Sequence, residues 1–215
     1  MSATARTFTV RHVQLLRAFF AALSAVMVTF SADHSAEVGF SVFGGFVAAS
    51  GLVLLIAAWV VPRPDGRAPY ILLGIVDLLA AAVSGVPALR TEGAFFLVLI
   101  IWAAATGLIE LIAGLRARNI DSTAKDSITI GVLGLLLAVI LLVIPVGYSL
   151  DYTVEGAGAL TLTGIILAVG MLGGYTAIVA VFLAIAGFSP RRAEEKKDAA
   201  TGAATSEPVE TGGQS

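Results

Sequence analysis

Two carboxylates stand where charge is expensive. Asp77 lies within YILLGIVDLLAAAVSG, residues 70 to 85, and Glu110 within LVLIIWAAATGLIELIAGL, residues 97 to 115. An aspartate at the centre of a membrane-spanning helix costs roughly 2.5 to 3.5 kcal/mol on insertion scales, so each acid calls for a partner or for loss of its charge. Two uses fit such residues. They act as polar glue that holds helices in register, or they handle protons or a ligand inside the bilayer. One interior cation is at hand, Arg17 in VQLLRAFFAAL. It falls about five residues inside its apolar run, the same depth as Glu110, so the two can pair; the alternative is that Arg17 snorkels to the headgroups. Asp77 has no cation at its own depth, and the expectation is a hydrogen bond from its carboxyl to a neighbouring carbonyl or hydroxyl such as that of Thr106.

Other chemistry is excluded by what the chain lacks. It has no cysteine, so thiolate nucleophiles, thiolate metal sites and disulfides are ruled out. Its two histidines, His12 and His34, fall outside the apolar runs, which leaves neither an imidazole relay nor a multi-histidine metal site within them. No serine, histidine and acid grouping and no glycine-rich phosphate loop is visible. No catalytic residue, cofactor or metal is therefore expected, and the chain does not read as an enzyme. A net charge of -2 argues against nucleic acid as a partner.

The acids must be positioned by membrane helices. With 58 % hydrophobic residues, 13 % charged residues and a mean hydropathy of +0.95, the 215-residue chain is far from the makeup of soluble domains. Six stretches reach the about 20 apolar residues that cross a bilayer. They run approximately over 13–30, 38–61, 69–87, 94–115, 128–146 and 159–187, with breakers Pro62, Pro64, Gly66, Pro87, Gly93, Pro145 and Gly147 between them. The expected fold is all-α: residues 1–188 form a polytopic six-helix membrane domain, and residues 189–215 form a disordered tail with too little apolar bulk to bury. Of 13 lysines and arginines, only Arg90 falls in a loop on the side opposite the N-terminus. By the positive-inside rule this puts both termini in the cytoplasm of a cell's inner (plasma) membrane. Asp33, Glu37, Glu92, Asp151 and Glu155 then make the outer face acidic.

An internal repeat sharpens the placement. GLVLLIAA from Gly51 matches GLIELIAG from Gly107, and GIVDLLAA from Gly74 matches GVLGLLLA from Gly131, at offsets of 56 and 57. Nearly equal offsets imply three helical hairpins in one orientation, with both acids in the middle hairpin alone. Gly74, Ala80, Ala81 and Ser84 share the face of Asp77, while Ala103, Thr106, Gly107 and Gly114 share that of Glu110. Such small-residue stripes turn these faces towards protein. In the last span, the glycines of GMLGGY fit either close packing or an unwound helix at a transport site.

LLGIVDLLAAAV, TGLIELIAGLRAR and GVLGLLLAVILLVIP together resemble the HdeD-like family of small bacterial membrane proteins, best over residues 70 to 147. The resemblance implies six spans built from hairpin repeats, acids at the positions of Asp77 and Glu110, and a role in acid or envelope stress tolerance; it implies no reaction. The competing expectation is a small proton-linked transporter or channel using Asp77 and Glu110. Expected partners are the lipid bilayer and, within it, a second copy of the chain or another membrane protein.

Overall fold

Apolar runs of this kind become helices because a helix satisfies its own backbone groups where no water can. The structure is a computed structural model that describes residues 8–61, 66–120, 123–156 and 158–189. Six α-helices follow one another: α1 (Val10–Phe30), α2 (Ala36–Val60), α3 (Ala68–Ser84), α4 (Glu92–Ala117), α5 (Ala124–Val143) and α6 (Gly164–Phe188). Hydroxyl side chains open three of them: Ser35, Thr91 and Thr163 accept from the backbone N–H three residues on. Prolines close two others from a distance. Val86 before Pro87 and Ile144 before Pro145 are both extended, the conformation that a following proline enforces.

Five helices, α1, α2, α4, α5 and α6, are long and apolar enough to cross a membrane, the build of a membrane protein. The third, α3, has 17 residues, about 26 Å at 1.5 Å per residue against a hydrocarbon core of about 30 Å. The span expected over 69–87 thus stops at Ser84, and Pro87–Leu89 forms a separate 3-10 turn. Gly93 does not break the chain; it lies in the first turn of α4. Pro62, Pro64 and the tail from residue 190 fall outside the described residues.

The all-α expectation fits, and the last span needs one correction. Residues 149–163 form an antiparallel hairpin, β1 (Ser149–Val154) with β2 (Gly158–Thr163), in which Tyr152 faces Leu160 across the ladder. The span read over 159–187 therefore begins at Gly164, and 159–163 are strand. The alternation of Leu160 and Leu162 with Thr161 and Thr163 suits a strand of period two. Gly156 and Gly158 turn the chain at φ +87 and +84, conformations that side chains resist.

Short connectors make successive helices antiparallel, so the starts of α1, α3 and α5 share one end of the bundle with the finishes of α2, α4 and α6. The closest-packed pairs are α2 with α3, α4 with α5, and α1 with α6. Glycine makes two of these pairings. A methyl at Gly131 would stand 2.5 Å from the backbone nitrogen of Leu111, and one at Gly107 would stand 2.9 Å from the carbonyl of Gly131. Gly51 and Gly74 meet in the same way, 3.0 and 3.1 Å from each other's carbonyls. Only a hydrogen fits at these crossings. The glycines of GMLGGY belong to an unbroken α6, where Gly173 packs on Val28 of α1.

Towards the other end, rings fill the core. Phe40 meets Phe95 at 5.2 Å, Phe43 meets Trp102 at 5.1 Å and Trp102 meets Tyr175 at 5.8 Å, all edge to face. Such pairs add about 0.5–1.5 kcal/mol each beyond area burial. Outward faces carry exposed Leu79, Ile101, Val139 and Ile185, a surface that suits acyl chains rather than water.

Candidate functional site

Glu110 lies on the buried face of α4 shared with Ala103, Thr106 and Gly107, and it is buried itself. Arg17, eight residues into α1, reaches it from across the bundle. The guanidinium Nη2 donates to Glu110 Oε1 at 2.9 Å, between residues 93 apart in sequence. Arg17 therefore does not snorkel to a headgroup. α1 and α4 are not among the closely packed pairs, so two extended side chains span the interior between them. The bond is charge-assisted at both ends, which makes it stronger than a hydrogen bond between neutral groups.

Asp77 is also buried, and its partner is not the expected one. Trp102 Nε1 donates to Asp77 Oδ1 at 2.7 Å, so the carboxylate is an acceptor here. Thr106 does not bind Asp77; its hydroxyl donates to the carbonyl of Trp102 at 2.7 Å, closing on its own helix one turn back. Asp77 was expected to have no cation at its own depth. Arg17, which helix count places at a different depth, lines the same cavity as Asp77. Depth counted along each helix separately missed this, since a long arginine side chain can rise well above its own backbone position.

Two further polar groups complete the arrangement. Gln14 Nε2 donates to Asp126 Oδ2 at 2.8 Å, joining the first turns of α1 and α5 below the ion pair. Ser50 on α2 is buried, and its hydroxyl has no hydrogen-bond partner among the described residues.

Space accompanies the polar groups. One cavity of about 20 Å³ is lined by Arg17, Ser50, Asp77, Trp102, Thr106 and Glu110 among others. A second, also about 20 Å³, is lined by Gln14, Arg17, Tyr70, Glu110, Thr123 and Asp126 among others. Arg17 and Glu110 belong to both walls, so the ion pair stands between the two. Each has room for about one water molecule and none for a metabolite. Larger grooves, about 310 Å³ between α3 and α4 and about 420 Å³ between α1 and α6, lie on outward apolar faces and contain neither acid. Among the described residues no group of three or more histidines or acids is placed to hold a metal ion.

All four expected site residues thus converge on one interior region, with Thr106 in a supporting position. Trp102, Ser50, Gln14 and Asp126 were not expected there. For Trp102 a signal existed: tryptophans favour the membrane interface, and one at mid-span must find a buried partner for its N–H. Ser50 offers no such signal, because a serine in an apolar helix usually closes on its own backbone. No protein-family model matches this chain, and neither a curated protein nor a solved structure matches it.

Proposed function

We propose that the chain is a non-enzymatic integral membrane protein of the HdeD-like kind that contributes to acid or envelope stress tolerance, with the Arg17 and Glu110 pair as the element its function depends on. The observation that carries this reading is the 2.9 Å pair itself, formed between a buried Glu110 and a partly buried Arg17 that are 93 apart in sequence. Intramembrane charges are costly enough that a chain retaining them is using them.

In this reading the chain crosses the inner membrane six times, α3 being completed by Gly85 to Leu89, with both termini cytoplasmic. The bundle end holding Gln14 and Asp126 then faces the cytoplasm and the β hairpin faces outward. The α2 and α3 pair and the α4 and α5 pair are two copies of one unit, since Gly51 against Gly74 matches Gly107 against Gly131 at the offsets of 56 and 57. Its partners are the lipid bilayer and, through exposed apolar faces, a second copy or another membrane protein.

The test is survival. A deletion strain exposed to acid is expected to die faster than its parent, to recover with the wild-type chain and not to recover with Glu110→Gln. Equal survival of deletion and parent refutes the reading. Orientation is checked separately: in a chain without cysteine, Thr153→Cys in the hairpin is expected to react with an impermeant thiol reagent added to intact cells.

A second reading, a small proton-linked transporter or channel, is favoured by the two cavities on either side of the ion pair. It requires proton or solute flux into reconstituted liposomes that Asp77→Asn reduces.

A further inference from the structure

The two cavities are stacked along the bundle rather than scattered. The outer one reaches the first turns of α1 and α5, where Val10, Gln14, Thr123 and Asp126 line it. The inner one reaches Asp77 and Ser50. Ser50 is the fifteenth residue of the 25-residue α2, about 15 Å from that helix's finishing end. Above this point Trp102 is boxed edge-on by Phe43, Phe46 and Tyr175, and Phe95 stands behind Phe43. The polar lining of these two cavities therefore runs from that end and stops at a wall of rings.

The Ser50 hydroxyl makes this more than a gap in packing. It is 4 % exposed, it lines the inner cavity, and no protein group satisfies it. A buried polar atom without a partner costs about 1–3 kcal/mol. The same cavity is walled by the carboxylates of Asp77 and Glu110, and a water there would have several polar partners, which is what a buried water needs.

We propose that Gln14, Arg17, Glu110, Ser50 and Asp77 line a blind well that holds water, opens at the Gln14 and Asp126 end of the bundle, and ends beneath Trp102, so that protons but no solute reach Asp77. This rests on the stress-tolerance reading above and makes the protein a receiver of protons from one side rather than a conductor. The titratable groups that line the well are Arg17 from α1, Tyr70 and Asp77 from α3, Glu110 from α4 and Asp126 from α5; α2 contributes the untitratable Ser50, and Tyr175 from α6 packs on Trp102 at the closed end. Arg17 stands at the waist between the two waters and would bias which carboxylate a proton settles on.

The chain has two tryptophans, Trp59, 72 % exposed, and Trp102, 4 % exposed, so indole-labelled protein in lipid bilayers has two resolved N–H probes. In solid-state NMR with magnetisation transferred from water, both indoles are expected to receive signal, Trp59 from the interface and Trp102 through the well. Ser50→Val, which fills the inner cavity, is expected to silence Trp102 and leave Trp59 unchanged. Silence at Trp102 in the wild-type chain overturns the well, whatever the variant does. On acidification the Trp102 indole signal is expected to move, and not to move in Asp77→Asn. A wild-type signal that stays fixed overturns proton access, and one that moves equally in Asp77→Asn overturns the assignment to Asp77. Proton flux into liposomes carrying the wild-type chain is expected to equal that of empty vesicles; sustained flux overturns the blind end. None of these readouts depends on survival in acid, so the well and the physiological reading fail independently.

Discussion

The two halves of this bundle are assembled on different principles. In the half that contains Glu110 and Asp77, helices touch backbone to backbone through Gly51, Gly74, Gly107 and Gly131, and charged side chains occupy the centre. In the other half Phe40, Phe43, Phe95 and Trp102 fill the centre edge to face. The first arrangement is specific and brittle, because each polar atom depends on one partner. The second is tolerant, because rings of similar bulk can substitute for one another. Trp102 belongs to both, giving its face and edges to the aromatic half and its N–H to Asp77.

The sharpest way to break this comparison is to remove one charge. Glu110→Ala leaves Arg17 buried without its counter-charge and is expected to lower unfolding stability by about 3–5 kcal/mol in denaturant titrations of the micelle-bound protein. Arg17→Met combined with Glu110→Leu is expected to recover most of that loss, since the cost lies in the stranded charge. If the single variant is as stable as the parent, the polar half is not brittle.

Gly131→Ala probes the backbone contact. With a methyl 2.5 Å from the Leu111 nitrogen, α4 and α5 must separate, and the expected loss is about 1–3 kcal/mol in the same titration. Trp102→Phe keeps most of the ring volume and deletes only the donor to Asp77. The unsatisfied carboxylate is expected to cost about 1–3 kcal/mol, and Asp77→Asn in that background is expected to return part of it. In the aromatic half, Phe46→Leu is expected to cost less than about 1.5 kcal/mol, the smallest effect of the four. A larger loss there than at Gly131 would reverse the contrast between the halves.

Hydropathy alone made most of the fold legible. Each apolar run became a helix, and Pro87 and Pro145 ended theirs as expected, because these are local consequences of burial in lipid and of proline sterics. Gly93 and residues 159–163 were misread. A glycine inside a helix's first turn and a short alternating run before a helix carry weak local signals, which neighbouring structure overrode. The convergence of Arg17 with Glu110 was legible from matched depth, because helix rise converts residue count into distance.

What the sequence determined by itself is therefore the six apolar helices, five of them long enough to cross a membrane, the small-residue faces and the identity of the interior charges, all of which follow from residue type and helical period. Only tertiary structure decided that Asp77 accepts from Trp102, that Ser50 stays unsatisfied, and that a water-sized cavity lies on each side of Arg17 and Glu110. These depend on how helices far apart in sequence rotate and tilt against each other, and a one-dimensional pattern gives each helix a face without saying which atoms of another helix will meet it.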